Sequence, residues 1–134
     1  MADSHLAVTP PAAQMLGRVI ERIDADGTVH LAFLAKPEFA NRHGGVQGGI
    51  VSAMLDSATS VALLAQLPED RISMTVKLET EFLRPTPLGP LQAKAWLMTR
   101  DERVATVHGE LRDPAGALCA TATAQLRILP RNRS

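Results

Sequence analysis

A glycine-rich turn runs without a break into the only long apolar helix pattern of the chain, residues 49–66, and this stretch limits what the rest can become. Gly44, Gly45, Gly48 and Gly49 crowd into residues 44–49. Ile50, Val51, Met54, Leu55, Ala58, Val61, Ala62, Leu64 and Ala65 then fall on nearly every side of the helix. A helix that is apolar all round is buried all round, so the remaining chain has to wrap it. Glycines at a helix start let another group approach the backbone closely, and the first N–H groups of the helix are unpaired donors. Asp56 sits two turns into the same apolar stretch. The pattern therefore combines a place to hold an oxyanion with a carboxylate beside it.

The segments on either side supply the wrapping. Residues 1–9 read as a loose tail, and Pro10-Pro11 opens a short helix over residues 12–16 that Gly17 stops. Residues 18–23 and 28–35 alternate apolar and polar side chains around the turn Asp24-Ala25-Asp26-Gly27, a hairpin signature. An irregular loop over residues 36–49 leads into the helix, which Leu67-Pro68 ends. Only strand candidates follow: residues 72–83, 91–99, 103–112 and 117–129, separated by Arg84-Pro85, Arg100-Asp101-Glu102 and Asp113-Pro114-Ala115-Gly116. Consecutive strands joined by short turns make an antiparallel sheet, and one helix must cover one of its faces. The expected class is α+β, in one domain over residues 1–134, because two domains would each be too small for a good core.

Composition excludes several functions. Fourteen Lys plus Arg balance fourteen Asp plus Glu, so no overall field favours nucleic acid or an anionic membrane. The single cysteine, Cys119, rules out an internal disulfide and a cysteine-based zinc cage. His5, His30, His43 and His108 show no paired ligand spacing, so no metal site is expected. The most apolar window, residues 48–67, contains Ser52, Asp56, Ser57, Thr59 and Ser60, which marks a buried helix instead of a membrane span. Asp3 and His5 stand where a signal peptide would carry basic residues, so the expected location is the cytoplasm.

Three motifs resemble the hotdog-fold acyl-CoA thioesterases, in particular the phenylacetate-degradation (PaaI-type) branch, over about residues 15 to 130. They are Asn41 through Gly49 leading into the helix, Asp56 within it, and Phe82-Leu83-Arg84-Pro85-Thr86-Pro87-Leu88-Gly89 after the long strand. The family pattern is Asn, then Gly, then His-Gly-Gly, with an acidic residue eight or nine positions later. Here Gln47 takes the place of the usual histidine. Glutamine still donates a hydrogen bond but carries out no acid–base work.

The resemblance implies a sheet curled around one central helix, paired as a homodimer and as a dimer of dimers, with active sites at the dimer interface. It implies an acyl-CoA substrate, aromatic or medium-chain, hydrolysed without metal or cofactor. Asp56 would then act as general base or as nucleophile, two routes the sequence leaves open. Gly48 would offer its N–H to the oxyanion, Gln47 would orient the thioester carbonyl, and Asn41 would position water or Asp56. Ser60 lies one turn after Asp56 on the same stripe. Thr75 falls where relatives place a water-holding hydroxyl, and Phe82 belongs to the third motif. Arg84, Arg100, Arg103 and Arg127 are the candidates for the CoA phosphates. Two readings compete with hydrolysis. A hotdog dehydratase needs a histidine paired with its acid and finds none at that spacing. A non-catalytic acyl-CoA-binding protein is opposed by Asp56 and favoured by the glutamine at position 47.

Overall fold

The computed structural model describes residues 6–131. A short helix α1 (Pro11–Met15) precedes the hairpin β1 (Val19–Ile23) and β2 (Val29–Ala35). A 3₁₀ turn (Pro37–Phe39) leads to the long helix α2 (Gly48–Leu64). Four strands follow: β3 (Arg71–Phe82), β4 (Gly89–Arg100), β5 (Val104–Arg112) and β6 (Leu118–Pro130). All strands join one antiparallel sheet in the order β1-β2-β4-β5-β6-β3, and α2 lies against its concave face.

Inward-facing residues explain how a sheet can close around a helix. Along the middle strands every second side chain is buried, and at the centre these are small: Ala93, Ala95, Gly109, Ala122 and Ala124. The register places Ala95 beside Gly109 and Gly109 beside Ala122, a row across three strands with nothing larger than a methyl group. Leu55 and Thr59 of α2 occupy that row, so close that a Cβ on Gly109 would stand 3.2 Å from the Thr59 methyl. Larger residues fill the flanks: Leu31, Phe33, Leu91, Leu111 and Leu126 are all at most 2% exposed. Each such side chain contributes about 1.5–3 kcal/mol of burial.

The structure departs from the sequence expectations at four points. Residues 36–49 are not wholly irregular, since they contain the 3₁₀ turn and a bridge between Ala40 and Val46. The helix ends at Leu64 instead of residue 66, because Gln66 and Leu67 turn their N–H groups to carbonyls only three residues back. It is also not buried on every side: Ser52, Ala53, Asp56, Ser57, Ser60 and Leu64 form a half-buried stripe within this chain. Finally, the connection between β3 and β4 is no tight turn. It carries the chain past β5 and β6, so that β3 pairs with β6 at the sheet edge. Pro85 and Pro87 have no N–H for a ladder, which keeps the segment out of the sheet.

The expected tail divides. Its first five residues lie outside the described residues, while Leu6 packs, partly buried, against the core. Gly17 ends α1 with φ +64°, and a Cβ there would lie 2.8 Å from the Leu34 Cβ and 3.1 Å from the Leu34 nitrogen. Left-handed backbone and a close neighbour together require glycine. Gly17→Ala is expected to lower the unfolding free energy by about 1–3 kcal/mol in urea denaturation. An unchanged midpoint would mean that α1 shifts away from β2 at no cost.

Candidate active site

The glycine turn is a built loop with Asn41 at its centre. The Asn41 Oδ1 accepts the N–H groups of His43 at 2.9 Å and Gly45 at 3.2 Å, while its own backbone exchanges bonds with Gly44 and Gly45. Gly44 takes the left-handed conformation this tightness needs, at φ +88°. The loop is pinned on both sides, because Val46 donates to the Thr86 carbonyl and Gln47 to the Phe39 carbonyl, each at 2.8 Å. A Cβ on Gly45 would stand 3.1 Å from the Thr86 oxygen, so that glycine is steric.

Gly48 and Gly49 differ. Neither has a positive φ; a Cβ on Gly48 would meet only the Phe82 ring at 3.5 Å, and one on Gly49 would meet nothing within 4 Å. Nothing in the folded chain requires glycine at either position. Their N–H groups precede the first acceptor of the helix, the Gln47 carbonyl that takes Ile50 and Val51. They therefore stand as unpaired donors at the positive end of a 17-residue helix. The Gln47 side chain makes no capping bond and is exposed. A cavity of about 530 Å³ opens here, bounded by Asn41, His43, Gly48, Phe82, Arg84 and Thr86.

Asp56 belongs to a second cavity, of about 320 Å³, with Ser57 and Ser60. Its Oδ1 accepts the Thr75 hydroxyl at 2.8 Å. The expected hydroxyl on the long strand therefore touches the carboxylate itself. A bulge explains the contact: the β3–β6 register slips between Thr75 and Lys77, skipping Val76. Thr75 and Thr80 would point to opposite faces of a regular strand, and the extra residue turns both towards α2. Thr80 meets the Ser52 hydroxyl at 3.1 Å, a contact that no sequence spacing announces.

The arginines separate. Arg84 joins the Gly48 cavity. Arg100, Arg103 and Arg127 gather with Arg71, which the sequence did not single out, around a groove of about 740 Å³ that Glu102 shares. One Arg100 Nη1 hydrogen is spent on the Gln66 carbonyl, two residues past the end of α2, at 3.3 Å. Among the described residues no three His, Cys, Asp or Glu side chains group as metal ligands, and no helix is long and apolar enough to cross a membrane.

A curved antiparallel sheet around one helix that opens on unpaired glycine donors is the fold of the hotdog thioester hydrolases. A family model described as the thioesterase superfamily matches residues 43–120, more than half of the chain, and the chain belongs to that superfamily. A phenylacetic acid degradation-related protein from Ralstonia eutropha JMP134, provisionally called a thioesterase, is 37% identical with a TM-score of 0.88, covering 94% of this chain and 98% of that one. A thioesterase family protein from Silicibacter pomeroyi is 25% identical with a TM-score of 0.85, covering 97% and 96%. A protein of Saccharolobus solfataricus, provisionally named an esterase, is 30% identical over 94 residues, which span 70% of this chain but only 66% of that protein.

Thr75 is the one side chain among the described residues seen to donate to Asp56. Thr75→Val is expected to cost about 1–3 kcal/mol, the loss of a hydrogen bond to a half-buried charged group, and Thr75→Ser to restore most of it. Chemical denaturation of the three proteins checks this, and equal stabilities would show that the bond is replaced by water.

Proposed function

We propose that the chain hydrolyses acyl-CoA thioesters at a site completed by a second copy of itself. One observation carries this reading: the donors at the start of α2 and the carboxylate at its middle open into different cavities. Gly48 and Asp56 are separated by about 12 Å along the axis at ~1.5 Å per residue. A reacting carbonyl must approach its oxyanion donor and its attacking group to within about 3–3.5 Å of each. A two-fold pairing that sets two helices side by side brings Gly48 of one copy to Asp56 of the other. The edge strand β3 offers a means of pairing, since it is 12 residues long and its outer ladder is free within this chain. The exposed Met74, Val76 and Phe82 are apolar surface for the same contact.

In that arrangement the thioester oxygen takes the Gly48 N–H. Its charge develops at the positive helix end, where a preorganised donor is most effective. Asp56, oriented by Thr75, either removes a proton from an attacking water or attacks the carbonyl itself, and the thiolate leaves. The open space beyond Gly49, with only the Phe82 ring beside Gly48, supports a substrate approach to bare backbone. Gln47 serves as a second donor to the carbonyl, Asn41 keeps the loop in shape and Ser60 lines the carboxylate cavity. The four-arginine groove suits the phosphates of CoA, and Arg84 adds a cation beside the donors.

A panel of acyl-CoAs assayed for free-thiol release tests the activity. Asp56→Asn is expected to fold normally while kcat falls by about two decades or more, the scale for losing a positioned base or nucleophile. Turnover within a few-fold of the unmodified protein would remove Asp56 from the chemistry.

Assembly is tested by mixing two inactive variants, Asp56→Asn and Gly48→Val, unfolded and refolded together. A mixed dimer carries both defects in one site and neither in the other. Activity is expected to return to about a quarter of the unmodified level under random two-fold pairing. No return, with mixed dimers demonstrated, would place each site within one chain.

A further inference from the structure

The Asp56 cavity contains a cation that the reaction as described does not use. Arg18 follows the Gly17 turn and lines the same space as Asp56, Ser57 and Ser60. Its Nη1 donates to the Ser57 hydroxyl at 3.0 Å, and its Nε is enclosed with no acceptor among the described residues. Among the described residues no carboxylate lies within ion-pair distance of it. Asp56 is the residue next to Ser57, yet it directs its Oδ1 to Thr75. Burial alone acts on the guanidinium and holds its pKa below the usual arginine range, though an arginine keeps its charge under any ordinary condition.

The remaining wall is apolar: Leu6, Ala13, Leu16, Ala53, Val61 and Leu64. A guanidinium has five N–H donors, and this one spends a single donor on a neutral hydroxyl. An alkyl or phenyl group filling the cavity would strip water from that cation and return nothing. An oxygen anion at the far end of the acyl group would return a charge-assisted bond. At about 320 Å³ the space lies near the lower end of small-molecule pockets, which run from about 300 to 1,000 Å³. It suits a short chain.

We infer that Arg18 is a specificity residue, and that the cavity takes a short acyl group ending in a carboxylate, whose anion meets the Arg18 guanidinium while the thioester end lies at Asp56. This deepens the hydrolase reading and rests on it for the orientation of the substrate. Among the described residues Arg18 and Asp56 are the only charged side chains lining the cavity, so the acyl chain has to hold its carboxylate at the Arg18 end and away from Asp56.

The experiment compares glutaryl-CoA with hexanoyl-CoA by free-thiol release, in the unmodified protein and in Arg18→Met, Arg18→Gln and Arg18→Lys. The expected result is a kcat/KM at least about tenfold higher for glutaryl-CoA, a preference that polar recognition in a buried site readily reaches. That ratio should collapse in Arg18→Met and Arg18→Gln and return in part in Arg18→Lys. Arg18→Gln keeps a donor for Ser57 without the charge, so a merely structural tie between Arg18 and α2 would leave the ratio where it was. Hydrolysis of both substrates with a ratio that Arg18→Gln does not move overturns the assignment and leaves the hydrolase reading standing. Should neither thioester be cleaved, the hydrolase reading rests on the wider acyl-CoA panel, and calorimetry with free glutarate and hexanoate decides the role of Arg18. Glutarate binding that weakens about tenfold or more in Arg18→Gln supports the anion site, and absence of glutarate binding to the unmodified protein overturns it.

Discussion

The close seating of α2 on the Ala95–Gly109–Ala122 row is the contact on which the other features depend. Where two layers meet through backbone and methyl groups, the helix axis has little freedom to shift, because packed interiors leave no slack to absorb movement. That fixed axis sets the positions of the donors at Gly48 and Gly49 and of the carboxylate at Asp56. It also determines which side of the helix, the stripe of Ser52, Asp56, Ser57 and Ser60, turns towards the edge strand β3 and the segment before β1. Among the described residues, three side chains of that stripe, Ser52, Asp56 and Ser57, make the side-chain hydrogen bonds between α2 and other elements: to Thr80, to Thr75 and to Arg18.

Local signals were legible in the sequence, and long-range ones were not. The helix, the hairpin and all four later strands fall within a few residues of where periodicity and turn chemistry put them, since those rules act over a handful of neighbours. The place of β3 was misread because chain order favours pairing with β4. The actual partner, β6, is dictated by a proline-bearing crossover whose path no local pattern encodes. The polar stripe on α2 was visible as residues but misread as burial, because a count of apolar side chains outweighed four small polar ones.

The site was legible in a similar measure. The resemblance singled out Asp56, Gly48 and Thr75 as separate expectations, and the fold joins two of them: a bulge at Val76 brings Thr75 onto the carboxylate. Bulges depend on how two distant strands settle into register, so a strand pattern read alone passes over them. Arg18 escaped notice for another reason. An arginine at a strand start reads as solvated, and only the folded chain shows its guanidinium half-enclosed beside Ser57. The arginines offered for phosphates fall into two groups, because Arg84 lies just past the end of β3, while the others gather near Arg71 at its start.

The position of β3 also bears on how the chain reaches this structure. Arg71 pairs with Pro130 and Phe82 with Ala120, so the strand that holds Thr75 against Asp56 has no ladder partner until the last strand has been made. Closing so long a loop costs chain entropy before any contact repays it, which makes this step slow relative to the β4–β5–β6 meander. While the chain is being synthesised, α2 and β3 emerge well before the surface that will cover them. A long unpaired edge strand and an apolar helix then wait together in an incomplete fold, the condition under which nascent chains aggregate or bind a chaperone. The order of strands in the sheet thus makes the carboxylate end of the site one of the last parts of the molecule to mature.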